Sequence, residues 1–362
     1  MTGKMLFFNT GMTTGGAERV IATIANEFSD LGTEVVIAVL KGDESEYPLR
    51  HAVSFRSAGL HPGIRRLVGA MRFYRSLIAE QRPAAVASFS AKSDIIAILC
   101  KILFRLPTRL VVSDRADPRN RARSMQLLLN FLYHWADLVV CQSNGVAEYY
   151  RRHVQRTPVA IIPNPLDIAA VADVHIGARK KVVVCVGRLA EQKNQTLAIQ
   201  AFQRVRDAIP DVRLKIYGEG PDQSRLQDLI SQVGLQSEVT LEGVVPNALR
   251  ANADAALLLF TSNYEGYPNV LLEAAASGIP IVTTDFSPGT AREIVEDGVN
   301  GFVVPVGDLD AVADAATRVV NGSLEPHRIR ESARRVRNQH LIGPIAQAWN
   351  GALDIDARHP HL

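Results

Sequence analysis

Short apolar runs alternate with helix-patterned stretches along almost the whole chain. In the first half Met5 to Asn9, Glu34 to Leu40, Val53 to Ala58, Ala84 to Ser90, Arg109 to Asp114, Ala136 to Ser143 and Val159 to Ile162 read as strands. In the second half Lys181 to Val186, Arg213 to Tyr217, Val239 to Leu241, Ala255 to Phe260, Ile279 to Thr284 and Gly301 to Val304 do the same. Between the first two strands, Val20, Ile21, Ile24 and Phe28 share one stripe at helical spacing. Ile64, Leu67, Val68, Met71, Tyr74 and Ile78 repeat that pattern. This rhythm demands parallel sheets with helices on both faces. In such sheets ligands bind beyond the carboxyl ends of the strands, so the loops there are the ones to search.

A chain of 362 residues suggests two domains. Pro163-Asn164-Pro165 is stiff and cannot continue a helix, so the boundary is expected there. The expected domains are residues 1–165 and 166–340, with an amphipathic tail at 341–362 packing back on the first. The longest apolar candidate for a membrane span, Ala84 to Phe104, is broken by Lys92, Asp94 and Lys101. The opening MTGKMLFFNTG reads as a first strand and not as a secretory signal. Cys100, Cys141 and Cys185 each lie in an apolar run, which fits buried free thiols in a reducing, cytoplasmic setting. The histidines show no paired ligand spacing, so no metal site is expected.

The net charge of +3 is unevenly placed. Residues 1 to 165 hold 21 Lys and Arg against 13 Asp and Glu, or +8, and the remainder is −5. A basic first half fits an anionic partner: a membrane surface or a phosphate-bearing acceptor, and less well a nucleic acid.

The most informative stretch is Asn263 to Ser277, NYEGYPNVLLEAAAS. A buried strand leads in, a polar loop follows, Pro268 takes the first helical position, and Gly278 stops the helix. The backbone N–H groups near Asn269 and Val270 then form an anion site. Glu265 and Glu273 flank it, and a carboxylate accepts two hydrogen bonds from a vicinal diol. A ligand built as diol, diphosphate and diol is a nucleotide sugar. Taken alone, such a pair is more often a capped surface helix with solvated glutamates.

Gly187-Arg188-Leu189-Ala190-Glu191-Gln192-Lys193-Asn194 follows the first strand of the second half. Arg188 and Lys193, on a loop opening a helix, can neutralise a diphosphate together. Gly15 and Gly16, at the start of the first helix, let backbone approach a ligand. They do not form the G-x-G-x-x-G dinucleotide fingerprint, which disfavours a nicotinamide dehydrogenase.

Taken together, the chain resembles glycosyltransferase family four, retaining enzymes of the two-domain GT-B fold, in which two Rossmann-like domains face a cleft. The resemblance rests on GGAERV at Gly15, PNP at Pro163, GRLAEQKN at Gly187, YGEGP at Tyr217, LEG at Leu241, the Glu265/Glu273 pair and EDGVNGFVVPVGD at Glu296. It implies that Arg188 and Lys193 bind the donor diphosphate, Glu273 the ribose hydroxyls and Glu265 the transferred sugar. Backbone at Tyr267, Pro268, Asn269 and Val270 would hold phosphate and sugar, the Gly15-Gly16 loop would close over them, and loops ending at Gly218 and Gly243 would frame the base. No metal or other cofactor is implied. Many members carry a histidine after the strand matching Arg109 to Ser113. Here Ser113-Asp114-Arg115 stands instead, so Asp114 and Arg115 either contact sugar or acceptor, or form a salt-bridged strand end. The implied acceptor is a saccharide on a polyprenyl diphosphate. Independently, the cations of the first half cluster on the Ile64 to Ile78 helix and between Lys101 and Arg123, so the enzyme is expected to be peripheral on an anionic membrane, with Arg65, Arg66, Arg72 and Arg75 as part of that contact. A sugar-nucleotide epimerase and a non-catalytic sugar-nucleotide-binding protein remain as alternatives.

Overall fold

The computed structural model describes residues 3–13, 15–60, 66–175 and 177–354. The chain forms two compact units that part between Pro165 and Leu166, and the segment from Leu341 belongs to the first.

The first unit is built on β1 (Met5–Asn9), β2 (Val35–Val39), β3 (Val53–Ser57), β4 (Ala85–Ser88), β5 (Arg109–Ser113), β6 (Leu138–Cys141) and β7 (Val159–Ile161). They pair in parallel in the order β3-β2-β1-β4-β5-β6-β7. Its helices are α1 (Gly16–Asp30), α2 (Arg66–Gln81), α3 (Ala91–Phe104), α4 (Arg123–Leu132) and α5 (Asn144–His153). The second unit has β8 (Lys180–Val186), β9 (Arg213–Tyr217), β10 (Val239–Gly243), β11 (Ala255–Phe260), β12 (Ile281–Thr284) and β13 (Gly301–Val304), all parallel, in the order β10-β9-β8-β11-β12-β13. Between its strands come α6 (Gln195–Ala208), α7 (Gln223–Gln232), α8 (Ala248–Ala251), α9 (Asn269–Ser277) and α10 (Ala291–Ile294). After β13 come α11 (Leu309–Val320) and α12 (Pro326–Gln339), and α13 (Ile342–Leu353) closes the described chain.

Side-chain alternation explains the continuous apolar runs. In β1, Met5 and Phe7 enter one core with α1, while Leu6 and Phe8 enter the core on the opposite face with α2 and α3. In β11, Leu257 and Leu259 face one core, and Leu258 and Phe260 the other. Ile345 and Trp349 of α13 complete the α1-side core of the first unit, and Arg109 Nε donates to Ala352 O at 2.9 Å.

All expected strands form, with ends shifted by a residue or two. The helix expected around Ile64 to Ile78 is α2; Ile64 and Arg65 lie outside the described residues, as does the side chain of Arg66. Pro268 is the N-cap of α9 and not its first helical residue, so the helix opens at Asn269. Gly278 ends α9 in the left-handed conformation at φ 67°, as expected. The three cysteines are free and buried. Among the described residues, no helix is long and apolar enough to cross a membrane.

Candidate active site

In the second sheet the strand order reverses direction between β8 and β11. That switch point opens a crevice at the strand ends, and the two informative loops emerge there. The Gly187–Asn194 loop follows β8, and the 261–268 loop follows β11.

The two loops are stitched together. Asn263 N–H donates to Gln192 O at 2.8 Å, and Asn263 Nδ2 donates to Glu191 O at 2.8 Å. Gln192 Nε2 donates to Tyr264 O at 3.0 Å, and Asn194 Nδ2 to Asn263 Oδ1 at 3.1 Å. Thr261 Oγ1 donates to Asn194 O at 2.9 Å. From the other side, Thr284 Oγ1 donates to Ser262 O at 2.6 Å and Thr290 Oγ1 to Gly266 O at 2.9 Å. The loop bearing Glu265 is therefore held on both flanks.

Within that frame Lys193 Nζ lies 2.6 Å from Glu265 Oε1 and 4.9 Å above the Phe260 ring. Ser262 Oγ donates to the same Oε1 at 2.8 Å. Among the described residues nothing bonds Oε2. Arg188 is exposed, and its guanidinium has no partner among the described residues. Glu273 is buried in α9, at 7% exposure. Tyr267 is buried enough that its phenol is pushed above its ordinary pKa, and its hydroxyl lies 3.4 Å from His340 Nε2.

Glycine at the neighbouring strand ends has a steric cause. A Cβ on Gly218, at φ +133°, would stand 2.0 Å from Gly187 O, and one on Gly220 would stand 2.2 Å from Leu189 O. Leu189 N–H donates to Glu219 O at 2.9 Å, and Gly218 N–H to Gly243 O at 2.7 Å. The loops after β8, β9 and β10 thus touch backbone to backbone. The sequence reading assigned Gly218 and Gly243 but missed Gly220, although the GEG spacing was the available signal. It also missed Ser262, Asn263 and Phe260, which bear no charge and have no fixed spacing to Lys193.

The other expected residues lie in the first unit. Tyr47 clamps Gly15 by accepting its N–H at 3.1 Å and donating to its carbonyl at 2.9 Å. The room over Gly15 is taken by Glu18, whose carboxylate would stand 2.2 Å from an added Cβ. Burial raises the Glu18 pKa, and Asn9 Nδ2 donates to it at 3.4 Å. Gly16 begins α1.

Asp114 is 1% exposed and paired with both Arg121 nitrogens, one at 2.5 Å, and with the Tyr150 hydroxyl. Of the two roles open to it, this is the salt-bridged strand end. Arg115 differs. Its Nη1 donates to Asn164 Oδ1 at 2.5 Å, and it stacks over Phe89 and Trp349 at 5.1 and 5.8 Å. Its buried Nε and Nη2 have no partner among the described residues.

A cavity of about 630 Å³ lined by His175, Arg179, Lys181, Pro280 and Arg330 opens where the strands of the second sheet begin, at the opposite end from these loops. Among the described residues, no group of three or more His, Cys, Asp or Glu is placed to hold a metal ion.

A family model of the glycosyl transferases group 1 matches residues 170–336, and that of glycosyltransferase family 4 matches residues 14–170. The N-acetylgalactosamine-N,N'-diacetylbacillosaminyl-diphospho-undecaprenol 4-alpha-N-acetylgalactosaminyltransferase of Campylobacter jejuni is 29% identical over 321 residues, 84% of this chain and 86% of that protein. The amylovoran biosynthesis glycosyltransferase AmsD of Erwinia amylovora is 26% identical over 367 residues, 97% of this chain and 99% of its own length. Among solved structures, Anabaena HepE in complex with UDP and glucose superposes with a TM-score of 0.78 at 20% identity, covering 97% of this chain and 99% of its own. At that identity the likeness is one of fold.

Proposed function

Because this chain belongs to glycosyltransferase family four, we propose that it is a retaining, metal-independent transferase acting in cell-surface glycan assembly. It moves a hexose or N-acetylhexosamine from a UDP-sugar to a saccharide carried on a polyprenyl diphosphate. The observation that supports this best is the Lys193–Glu265 pair, with Arg188 exposed on the same loop as Lys193, at the switch point of the second sheet and just ahead of α9.

In this reading Arg188 grips the donor diphosphate with its planar fork, and Lys193 adds a point charge whose position Glu265 fixes. Glu265 Oε2 accepts from a hydroxyl of the transferred sugar, and Glu273 from the ribose diol. Backbone from Tyr267 to Val270 meets the phosphate at the positive end of α9. The acceptor hydroxyl attacks the anomeric carbon from the face the diphosphate leaves, and the departing phosphate oxygen takes its proton. The cations then stabilise charge growing on the leaving group, which is the principal task left to the protein.

Two facts support a lipid-linked acceptor. The Campylobacter relative is named as a transferase acting on a diphospho-undecaprenol-linked saccharide. The first half of this chain carries +8, which fits a polyanionic or membrane-borne acceptor. The test is to incubate purified protein with UDP- and GDP-sugars, with and without a polyprenyl-diphosphate-linked saccharide. A product that forms only with the acceptor, and keeps the anomeric configuration of the donor by NMR, is expected. Donor isomerised without any acceptor would overturn the reading in favour of an epimerase.

A further inference from the structure

We infer that the face made by the end of α3, by α4 and by Trp135 docks on an anionic lipid bilayer. The inference rests on the reading of a lipid-linked acceptor and locates the surface that brings the enzyme to it.

Of the sixteen exposed large apolar side chains among the described residues, seven fall between Ile102 and Trp135, so the exposure is concentrated and not scattered. On α4, Leu129 and Leu132 are buried and hold the helix to the core. Leu127, Leu128 and Phe131 point away from that core, at 62%, 42% and 62% exposure. Phe131 meets Trp135 edge-on at 4.8 Å between ring centroids. The neighbouring helix α3 ends in Leu103 and Phe104, at 63% and 37% exposure. A helix held by a narrow apolar stripe, with leucine and aromatic side chains on its outer side, has the make-up of an element lying in a membrane interface.

Charge decides what covers the face. The segment 91–135 has three acids, Asp94, Asp114 and Asp117, and all three are buried. Its exposed cations are Lys92, Arg105, Arg119 and Arg123. A second copy of the chain would set these cations against themselves, and like charges across an interface are repulsive. An anionic bilayer supplies phosphates for the cations and an acyl region for the leucines, and Trp135 suits its headgroup level.

Of the arginines expected on α2, Arg72 is exposed. Arg75 is turned onto the Phe104 ring at 4.7 Å, at the margin of the face. Arg65 and the side chain of Arg66 lie outside the described residues.

The test is flotation of the purified protein, without substrates, on phosphatidylcholine vesicles with and without phosphatidylglycerol, at low and high salt. Wild type is expected to float with the anionic vesicles at low salt and to be released by high salt. The triple variant Leu127→Gln, Leu128→Gln, Phe131→Gln should bind at least about tenfold more weakly, because each buried apolar side chain adds to partition. Arg105→Gln with Arg123→Gln should weaken low-salt binding by roughly tenfold or more, since each cation near an anionic surface contributes a factor of about five. That pair keeps the proposal testable if the triple variant fails to fold. Wild type that stays at the bottom of the gradient overturns it. So do variants that float like wild type, and so does a triple variant whose only change is from dimer to monomer in solution. Transfer to a water-soluble acceptor is measured alongside. If it persists while vesicle binding is absent, the docking face is wrong and the transferase reading stands.

Discussion

The Lys193 ammonium and the Glu265 carboxylate, 72 positions apart in the chain, meet at 2.6 Å with both side chains largely buried. Replacing Lys193 by Ala therefore has two effects. The donor diphosphate loses a preorganised charge, and Glu265 is left buried with Ser262 as its remaining partner. Turnover should fall by roughly 10²-fold or more. Unfolding free energy should drop by about 3 kcal/mol, because an unpaired buried charge is costly. Adding Glu265→Ala should restore stability while leaving turnover low. Thermal melts beside single-turnover rates check this; a Lys193→Ala protein with wild-type melting and rate would refute the pairing.

Arg188 is the contrasting case, because it is exposed and unpartnered among the described residues. Arg188→Ala should lower turnover by a similar ~10²-fold with melting unchanged, as removal of a charge felt in the transition state does. Glu273→Ala should instead raise KM for the donor more than it lowers kcat, since a ribose diol is bound equally before and during reaction. Steady-state kinetics with the donor varied separate the two. Equal losses in kcat for both variants would contradict the assigned roles.

Gly218→Ala drives a methyl group to within 2.0 Å of Gly187 O at a φ of +133°, so the loop carrying Arg188 must move. A loss of about 2 kcal/mol or more is expected, together with weaker donor binding. Gly234→Ala is the control. Its φ is +69°, and an added Cβ meets nothing within 4 Å, so only the left-handed backbone penalty of about 1 kcal/mol applies and activity is retained. Equal stability losses in the two variants, measured by urea unfolding, would show that the Gly187–Gly218 contact does not matter.

A chelator should leave transfer intact, because in this mechanism Arg188, Lys193 and the start of α9 supply the positive charge that a divalent ion would otherwise bring. Loss of activity in EDTA with recovery on adding Mg²⁺ or Mn²⁺ would refute the metal-free mechanism.

Much of this was legible because parallel strands, buried on both faces, leave near-continuous apolar runs such as AALLLF at Ala255–Phe260. Glu265, Lys193 and Arg188 were legible as charges in loops that the strand rhythm placed at carboxyl ends. The bond between Glu265 and Lys193 was not, since nothing local ties residues so far apart. Asp114 illustrates the limit. Its partners Arg121 and Tyr150 come from an irregular loop and from α5, so the choice between ligand contact and buried ion pair needed coordinates. Helix α3 was read only as a failed membrane span. Its capping box, Ser90 with Ser93, replaces the usual acidic partner by a serine and so gave little signal.

Asp94 gives the fold a defined pH dependence. It is wholly buried on α3, its Oδ2 accepts from the Tyr133 hydroxyl at 2.6 Å, and the Ser88 hydroxyl also faces the carboxyl. Burial is the largest influence on it and pushes its carboxyl up to about 8. An aspartate in the unfolded chain titrates near 3.9. Between about pH 4 and 8 the folded protein therefore keeps a proton that the unfolded chain has released. The native state binds more protons, so stability falls as pH rises through that window and levels off above about 8. Asp94→Asn keeps the shape and an acceptor for Tyr133 but has no proton to lose. Relative to wild type, the variant should gain stability steadily from pH 5 to pH 8, by about 1.4 kcal/mol for each pH unit at most. Melting curves of both proteins across pH 5 to 9 measure the difference, and two curves running parallel over that range would mean that Asp94 does not hold the proton.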